Sequence, residues 1–304
     1  MDVPLFLYFV FFYIGNYGYS ITNKLALKAS GSPHGYPLTI SALQLGIGCL
    51  YAIFLWLAPD ARSHPQITPQ DLLKMIPVAF CTAGSHSASV FGYAHGSVSF
   101  VSIVKAAEPV FAAILSQFVY QRPVSLSKWL CLPIIISGVV LASVSEVNFS
   151  WTALASACVA NLIAAFRGNE TKKLLQTEGL KDRIGGAGNQ FALTAILGFL
   201  MWAPLALLKE GDGLPHFVGL LKNTTENDLR KWLVVSAFFY YGYNELRTVT
   251  LKKTSAVTGS VANTLKRVIV IVGVALALGE PLGPLKILGS MVAVGGVFLY
   301  SIVE

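Results

Sequence analysis

Arg122-Pro-Val-Ser-Leu-Ser-Lys-Trp-Leu130, running on to Gly138-Val-Val-Leu-Ala-Ser143, can be laid without a gap over Glu280-Pro-Leu-Gly-Pro-Leu-Lys-Ile-Leu288 and Gly296-Val-Phe-Leu-Tyr-Ser301. Pro123 then meets Pro281, Lys128 meets Lys286, Gly138 meets Gly296 and Ser143 meets Ser301, all at one constant offset. Self-similarity at a fixed interval marks an internal duplication. Residues 1–147 and 148–304 are therefore read as two copies of one unit within a single membrane domain.

The composition says where such a unit belongs. With 54% hydrophobic and only 12% charged residues, the chain lacks the polar side chains that a water-facing surface needs. A helical span takes about 20 mostly apolar residues. The hydropathy pattern predicts spans at 4–27, 37–58, 72–93, 98–120, 126–145, 149–171, 184–208, 229–251, 256–278 and 283–303. A membrane β-barrel would alternate apolar and polar residues in segments of about ten, whereas Val268 to Leu278 is continuously apolar. Each half holds five spans, an odd number, so the second copy enters the membrane from the opposite side. The expected fold is all-α and integral to the membrane: ten transmembrane helices as two inverted five-helix repeats. Carriers built this way hold substrate between the repeats near the midplane.

Several features predict little chemistry. Cys49, Cys81, Cys131 and Cys158 fall inside the spans without CxxC spacing, so neither a disulfide framework nor a metal site is expected. No cofactor is expected either. The net charge of +7 is read as membrane-flanking anchors, with no nucleic-acid partner and no obligatory protein partner. The sequons at Asn148, Asn169 and Asn223 are not expected to be glycosylated, two of them standing at predicted helix ends. No cleavable leader is expected ahead of Pro4. Lys172 to Arg183 is expected to be a charged loop, and Pro215 to Lys222 a short interfacial helix.

The charges inside the spans carry the functional reading. Lys105 lies about 10 Å into the fourth span, and Lys266 and Arg267 about 15 Å into the ninth. A mid-span cation costs about 2.5–3.5 kcal/mol on insertion scales, so three need a partner that offsets the cost. One reading is an interior ion pair, for which Glu108 stands one helical turn from Lys105. The other is a bound anion. With Glu108 neutralising one cation, about two positive charges remain, which suits a divalent phosphate monoester gripped by a planar guanidinium and compact ammonium groups. Pro109 is expected to kink the helix beside Lys105.

Polar side chains recur around these charges. His86 and Ser89 belong to Gly84-Ser-His-Ser-Ala-Ser89, a run of small and hydroxyl residues suited to a polar cavity. Tyr240, Tyr243 and Arg247 share a face of the eighth span. Tyr243 follows His86 by nearly the interval at which Lys266 follows Lys105, so spans 3, 4, 8 and 9 are expected to surround one cavity.

At this point the residues resemble the plastid phosphate translocators, of the triose-phosphate/phosphate type, within the drug/metabolite transporter superfamily. The likeness covers nearly the whole chain. Asn16 through Thr22-Asn23-Lys24 resembles the family's asparagine-rich stretch, and Lys105-Ala-Ala-Glu-Pro-Val-Phe its Lys-Ala-x-Glu-Pro motif. Phe238-Phe-Tyr-Tyr-Gly-Tyr-Asn-Glu-Leu followed by Val261-Ala-Asn-Thr-Leu-Lys-Arg-Val-Ile-Val-Ile is similar to its Tyr-Asn segment and Asn-x-Leu-Lys-Arg-Val signature. The resemblance implies that Lys105, Lys266 and Arg267 hold phosphate and that His86 and Tyr243 contact the substrate. It implies strict 1:1 antiport of inorganic phosphate against phosphorylated C3 compounds, such as triose phosphate or 3-phosphoglycerate, across the inner plastid envelope. Glu245 and Arg247 depart from the neutral residues the family pattern leads one to expect there.

Other readings stay open on the sequence. Within the family, hexose-phosphate, pentose-phosphate or phosphoenolpyruvate/phosphate antiport uses the same frame. A nucleotide-sugar transporter shares the helix plan. A drug exporter would centre on a carboxylate, a channel on a basic ring, and a membrane phosphatase on a nucleophile with an acid–base pair, for which His86 and Glu108 make a thin case. No enzymatic activity is expected.

Overall fold

The computed structural model describes residues 3–31, 34–222, 228–252 and 256–303. The described residues form helices: α1 (Val3–Ala29), α2 (Pro37–Leu57), α3 (Pro69–His95), α4 (Val98–Val119), α5 (Leu126–Val144), α6 (Trp151–Leu175), the short α7 (Leu180–Ile184), α8 (Ala187–Glu210), α9 (Leu214–Lys222), α10 (Leu229–Lys252), α11 (256–278) and α12 (Pro284–Ile302).

Among the described residues, seven helical stretches are long and apolar enough to cross a membrane: Pro37–Leu57, Val98–Val119, Leu126–Val144, Trp151–Leu174, Ala187–Lys222, Val261–Leu278 and Pro284–Ile302. The spans expected at 4–27, 72–93 and 229–251 are helical over their described residues but are not among these seven. Their polar content explains this: Asn16 and Asn23 on α1, the Ser85 to Ser89 run on α3 and Tyr240 to Arg247 on α10. The outer surface is rich in Leu50, Phe54, Leu57, Leu130, Val144, Leu208, Leu276 and Met291, all exposed, a belt that lipid satisfies and water does not.

Helix ends are fixed by residues legible in the sequence. Thr68 and Asp71 form a reciprocal capping box ahead of Pro69. Other starts are held by carboxylates from distant helices. Glu210 accepts from the amides of Leu38 and Thr39 (3.0 and 2.8 Å), and Glu280 from those of Val98 and Ser99 (2.7 and 2.8 Å). A carboxylate on exposed N-terminal amides satisfies orphan donors and complements the helix dipole.

The kink expected at Pro109 is a change of helix type. α4 is α-helical to Val104, 3₁₀ over Lys105–Ala107, α-helical again over Glu108–Ile114, and π-helical over Leu115–Val119. The Glu108 amide bonds the Lys105 carbonyl, which releases the Val104 carbonyl from its usual partner four residues on. Asn161 Nδ2, fully buried on α6, donates to that carbonyl at 2.9 Å. α11 carries a matching π turn at Ile269–Val274, directly after its cations.

Packing joins the first half of the chain to the second: α1 lies on α10, α2 on α8, α3 on α6 and α5 on α12. At the last crossing the backbones touch. A Cβ on Gly138 would fall 2.3 Å from the Ala293 nitrogen and 2.7 Å from the Gly289 oxygen, and one on Gly289 would fall 2.6 Å from the Ala142 nitrogen. Small residues permit such approaches between membrane helices. Gly138→Val is expected to destabilise the protein by about 1–3 kcal/mol or more, since backbone cannot yield as a side chain does. Thermal unfolding in detergent measures this.

Two smaller expectations are settled here. Lys172 and Lys173 belong to the last turn of α6, and residues 180–184 are helical, so the segment read as a loop is partly helix. Asn169 is buried with its amide on the Ala165 carbonyl, where no glycan fits. Asn223 lies outside the described residues.

Candidate functional site

All the side chains singled out in the sequence line one cavity of about 360 Å³: Lys105, Glu108, Lys266, Arg267, His86, Ser89, Tyr240 and Tyr243. The first-half helices α3 and α4 bring His86, Ser89, Lys105 and Glu108; the second-half helices α10 and α11 bring the tyrosines, Lys266 and Arg267.

Lys105 Nζ donates to Ser89 Oγ at 2.7 Å. Glu108 pairs with Arg267 Nη2 at 3.3 Å, across the two halves, rather than with Lys105 one turn away. Lys266 Nζ sits 5.8 Å from the centroid of the Phe12 ring, a cation–π distance. His86 stacks on Tyr240 with centroids 3.8 Å apart, and Tyr19 stands beside His86, Tyr240 and Tyr243. These rings wall the cavity and hold the polar groups in place.

Among the described residues, four buried polar atoms of the cavity lining have no protein partner: Tyr19 Oη, His86 Nε2, Arg247 Nε and Arg267 Nε. Buried polar groups are as a rule hydrogen-bonded, so this set is unfinished without a ligand or solvent.

Sequence reasoning assigns no role to part of the lining. Arg167 from α6, Arg247 from α10, Tyr19 and Asn16 from α1 and Asn263 from α11 also face the cavity. Arg167 had the same signal as the others, a cation within the expected span 149–171. The lining thus carries five cations, Lys105, Arg167, Arg247, Lys266 and Arg267, against Glu108, the one carboxylate among the described lining residues. The excess of positive charge is larger than the two charges expected.

One end of the bundle is tightly bonded. Lys24 Nζ donates to the Tyr93 carbonyl and, at 2.8 Å, to that of Gly96. Glu280 holds the start of α4. Lys286 Nζ lies 2.7 Å from Glu146, both side chains 1% exposed, and donates to Ser99 Oγ at 2.8 Å. The other end is held at its margin by Arg183 on Asp71 (2.7 and 2.8 Å) and Arg62 on Glu245. Cavity residues reach towards it, with Tyr300 and Ser301 in the last turn of α12.

Comparison with known proteins adds ancestry to this geometry. Residues 3–301 match the Triose-phosphate Transporter family. The phosphoenolpyruvate/phosphate translocator 3, chloroplastic, of Oryza sativa subsp. japonica is 38% identical, over 96% of this chain and 72% of its own length. The triose phosphate/phosphate translocator, chloroplastic, of Spinacia oleracea is 31% identical, over 98% of this chain and 71% of that one. The xylulose 5-phosphate/phosphate translocator, chloroplastic, of Arabidopsis thaliana is 32% identical, over 96% of this chain and 68% of that one. A solved crystal structure shares the fold, with a TM-score of 0.53 at 13% identity and 95% of each chain covered. The match along almost the full sequence and the relatives at this level of identity agree: the chain belongs to the Triose-phosphate Transporter family.

Proposed function

We propose that the protein is a secondary antiporter of the plastid envelope, exchanging inorganic phosphate for phosphorylated C3 compounds by alternating access, one for one. The observation that carries this is the meeting of Lys105, from the first half, with Lys266 and Arg267, from the second, around one cavity. In this reading the chain crosses the inner envelope membrane ten times as two inverted five-helix repeats, 1–147 and 148–304. Lys105, Lys266 and Arg267 bind the phosphate group; His86, Ser89, Tyr240 and Tyr243 contact the substrate; Glu108 balances charge and orients Arg267. The names of the relatives supply the substrate class, phosphate with small organic phosphates, and the plastid location. No enzymatic step is part of it.

The cavity volume favours a small ligand, since about 360 Å³ is near the lower end for small-molecule sites; a nucleotide sugar fits less well. The duplicated lysines support alternating access. Lys286 is sealed against Glu146 while its counterpart Lys128 is not buried, the asymmetry expected of two equivalent repeats caught with one end closed.

Charge explains strict exchange. An empty cavity would carry its excess cations through the occluded state unneutralised, at the cost that intramembrane charge imposes. Bound phosphate cancels part of that charge and favours the occluded state over the open ones, which is how a ligand shifts a conformational equilibrium. Reconstituted vesicles are expected to take up labelled phosphate only when loaded with phosphate or a C3 phosphate. Equal uptake into empty vesicles would overturn obligatory exchange.

A further inference from the structure

The cavity holds two arginines beyond the phosphate cluster. Arg167 and Arg247 line it, and neither belongs to an ion pair among the described residues. Glu245, two residues before Arg247, is held by Arg62. Glu108 is held by Arg267. Two guanidinium groups without an ion-pair partner among the described residues, facing one low-dielectric cavity, repel each other and each has lost hydration. An anion between them offsets both costs.

Their position follows from the helices that carry them. Arg247 follows Glu245, which Arg62 holds at the margin of the less tightly bonded end, and Arg167 lies about 12 Å in from the end of α6 on that same side. The arginines therefore lie on the side of the cavity nearer that end. A planar guanidinium fork matches the two oxygens of a carboxylate.

Resting on the antiport reading above, we propose that Arg247, with Arg167, forms a second anion subsite that receives the carboxylate of a phosphorylated carboxylic acid. The chain then selects such acids over phosphate esters whose far end is neutral, and Arg247 is the residue that sets this selection.

The test compares 3-phosphoglycerate with dihydroxyacetone phosphate, which share a phosphate ester on three carbons and differ in carrying a carboxylate or not. KM values are measured in phosphate-loaded vesicles for the wild type, Arg247→Gln and Arg247→Lys, with ligand-induced thermal stabilisation in detergent as a second readout. The wild type is expected to favour the acid. Arg247→Gln is expected to raise the ratio of the two KM values, acid over neutral, about tenfold to a hundredfold, the loss of one charge-assisted hydrogen bond; Arg247→Lys should restore part of it. An equal rise in both KM values, the pattern of general attraction at the cavity mouth, would overturn the subsite, as would a wild type without preference for the acid. Vesicles that exchange nothing would sink the antiport reading alone, because thermal stabilisation still reports the ratio of affinities.

Discussion

Alanine at Lys266 or Arg267 is expected to lower phosphate exchange by about 30-fold to several thousand-fold, the range for removing one partner of a buried charge pair. The two should differ in kind. Lys266 has a ring, Phe12, as its neighbour and no ion pair among the described residues, so on its removal the protein should keep its unliganded thermal stability while losing stabilisation by phosphate. Arg267 is bonded to Glu108. Its removal leaves that carboxylate facing the incoming anion, so Arg267→Ala should be the more damaging change. Adding Glu108→Gln should recover part of the loss, a coupling that a double-mutant cycle isolates. Normal exchange by both single variants would overturn the site assignment.

The second large effect concerns stability. Lys286 and Glu146 are almost fully buried, 2.7 Å apart, with Ser99 and Ser97 bonded to them. Lys286→Ala or Glu146→Ala strands the opposite charge and should destabilise the protein by about 3–5 kcal/mol. Replacing both with apolar residues of similar volume, Lys286→Met with Glu146→Leu, should recover most of that, because a buried ion pair returns little beyond its own desolvation. Thermal unfolding of the three variants in detergent measures the difference. Equal loss in single and double variants would mean that the packing, not the pair, holds this end together.

Much of the cavity was legible because charge inside an apolar span is costly and therefore conspicuous. Lys105, Lys266 and Arg267 stand out on that ground alone, and the small-residue run on α3 and the shared face on α10 picked out His86 and Tyr243. What a single helix cannot report is what another helix brings to it. Local spacing pairs Glu108 with Lys105, while the assembled protein gives Glu108 to Arg267 and Lys105 to Ser89. Asn161 was invisible for the same reason, since its partner is a carbonyl freed by a 3₁₀ turn on a different helix. The bonded end of the bundle was hidden too. Glu280 and Lys286 served in the sequence to mark a repeat, and only the fold shows one capping α4 and the other sealed against Glu146.

The crossing of α5 and α12 has a mechanical consequence. Gly138 and Gly289 leave no side chain between the two backbones, so nothing at that contact can change rotamer to take up a shift of one helix along the other. Sliding one helix along the other would carry a side chain into the facing backbone, whereas turning about the contact would not. One helix comes from each half of the chain, and the rest of each half is tethered to this shared fulcrum. Any exchange of the open and bonded ends is thereby confined to swings about a fixed line, with displacement growing with distance from it.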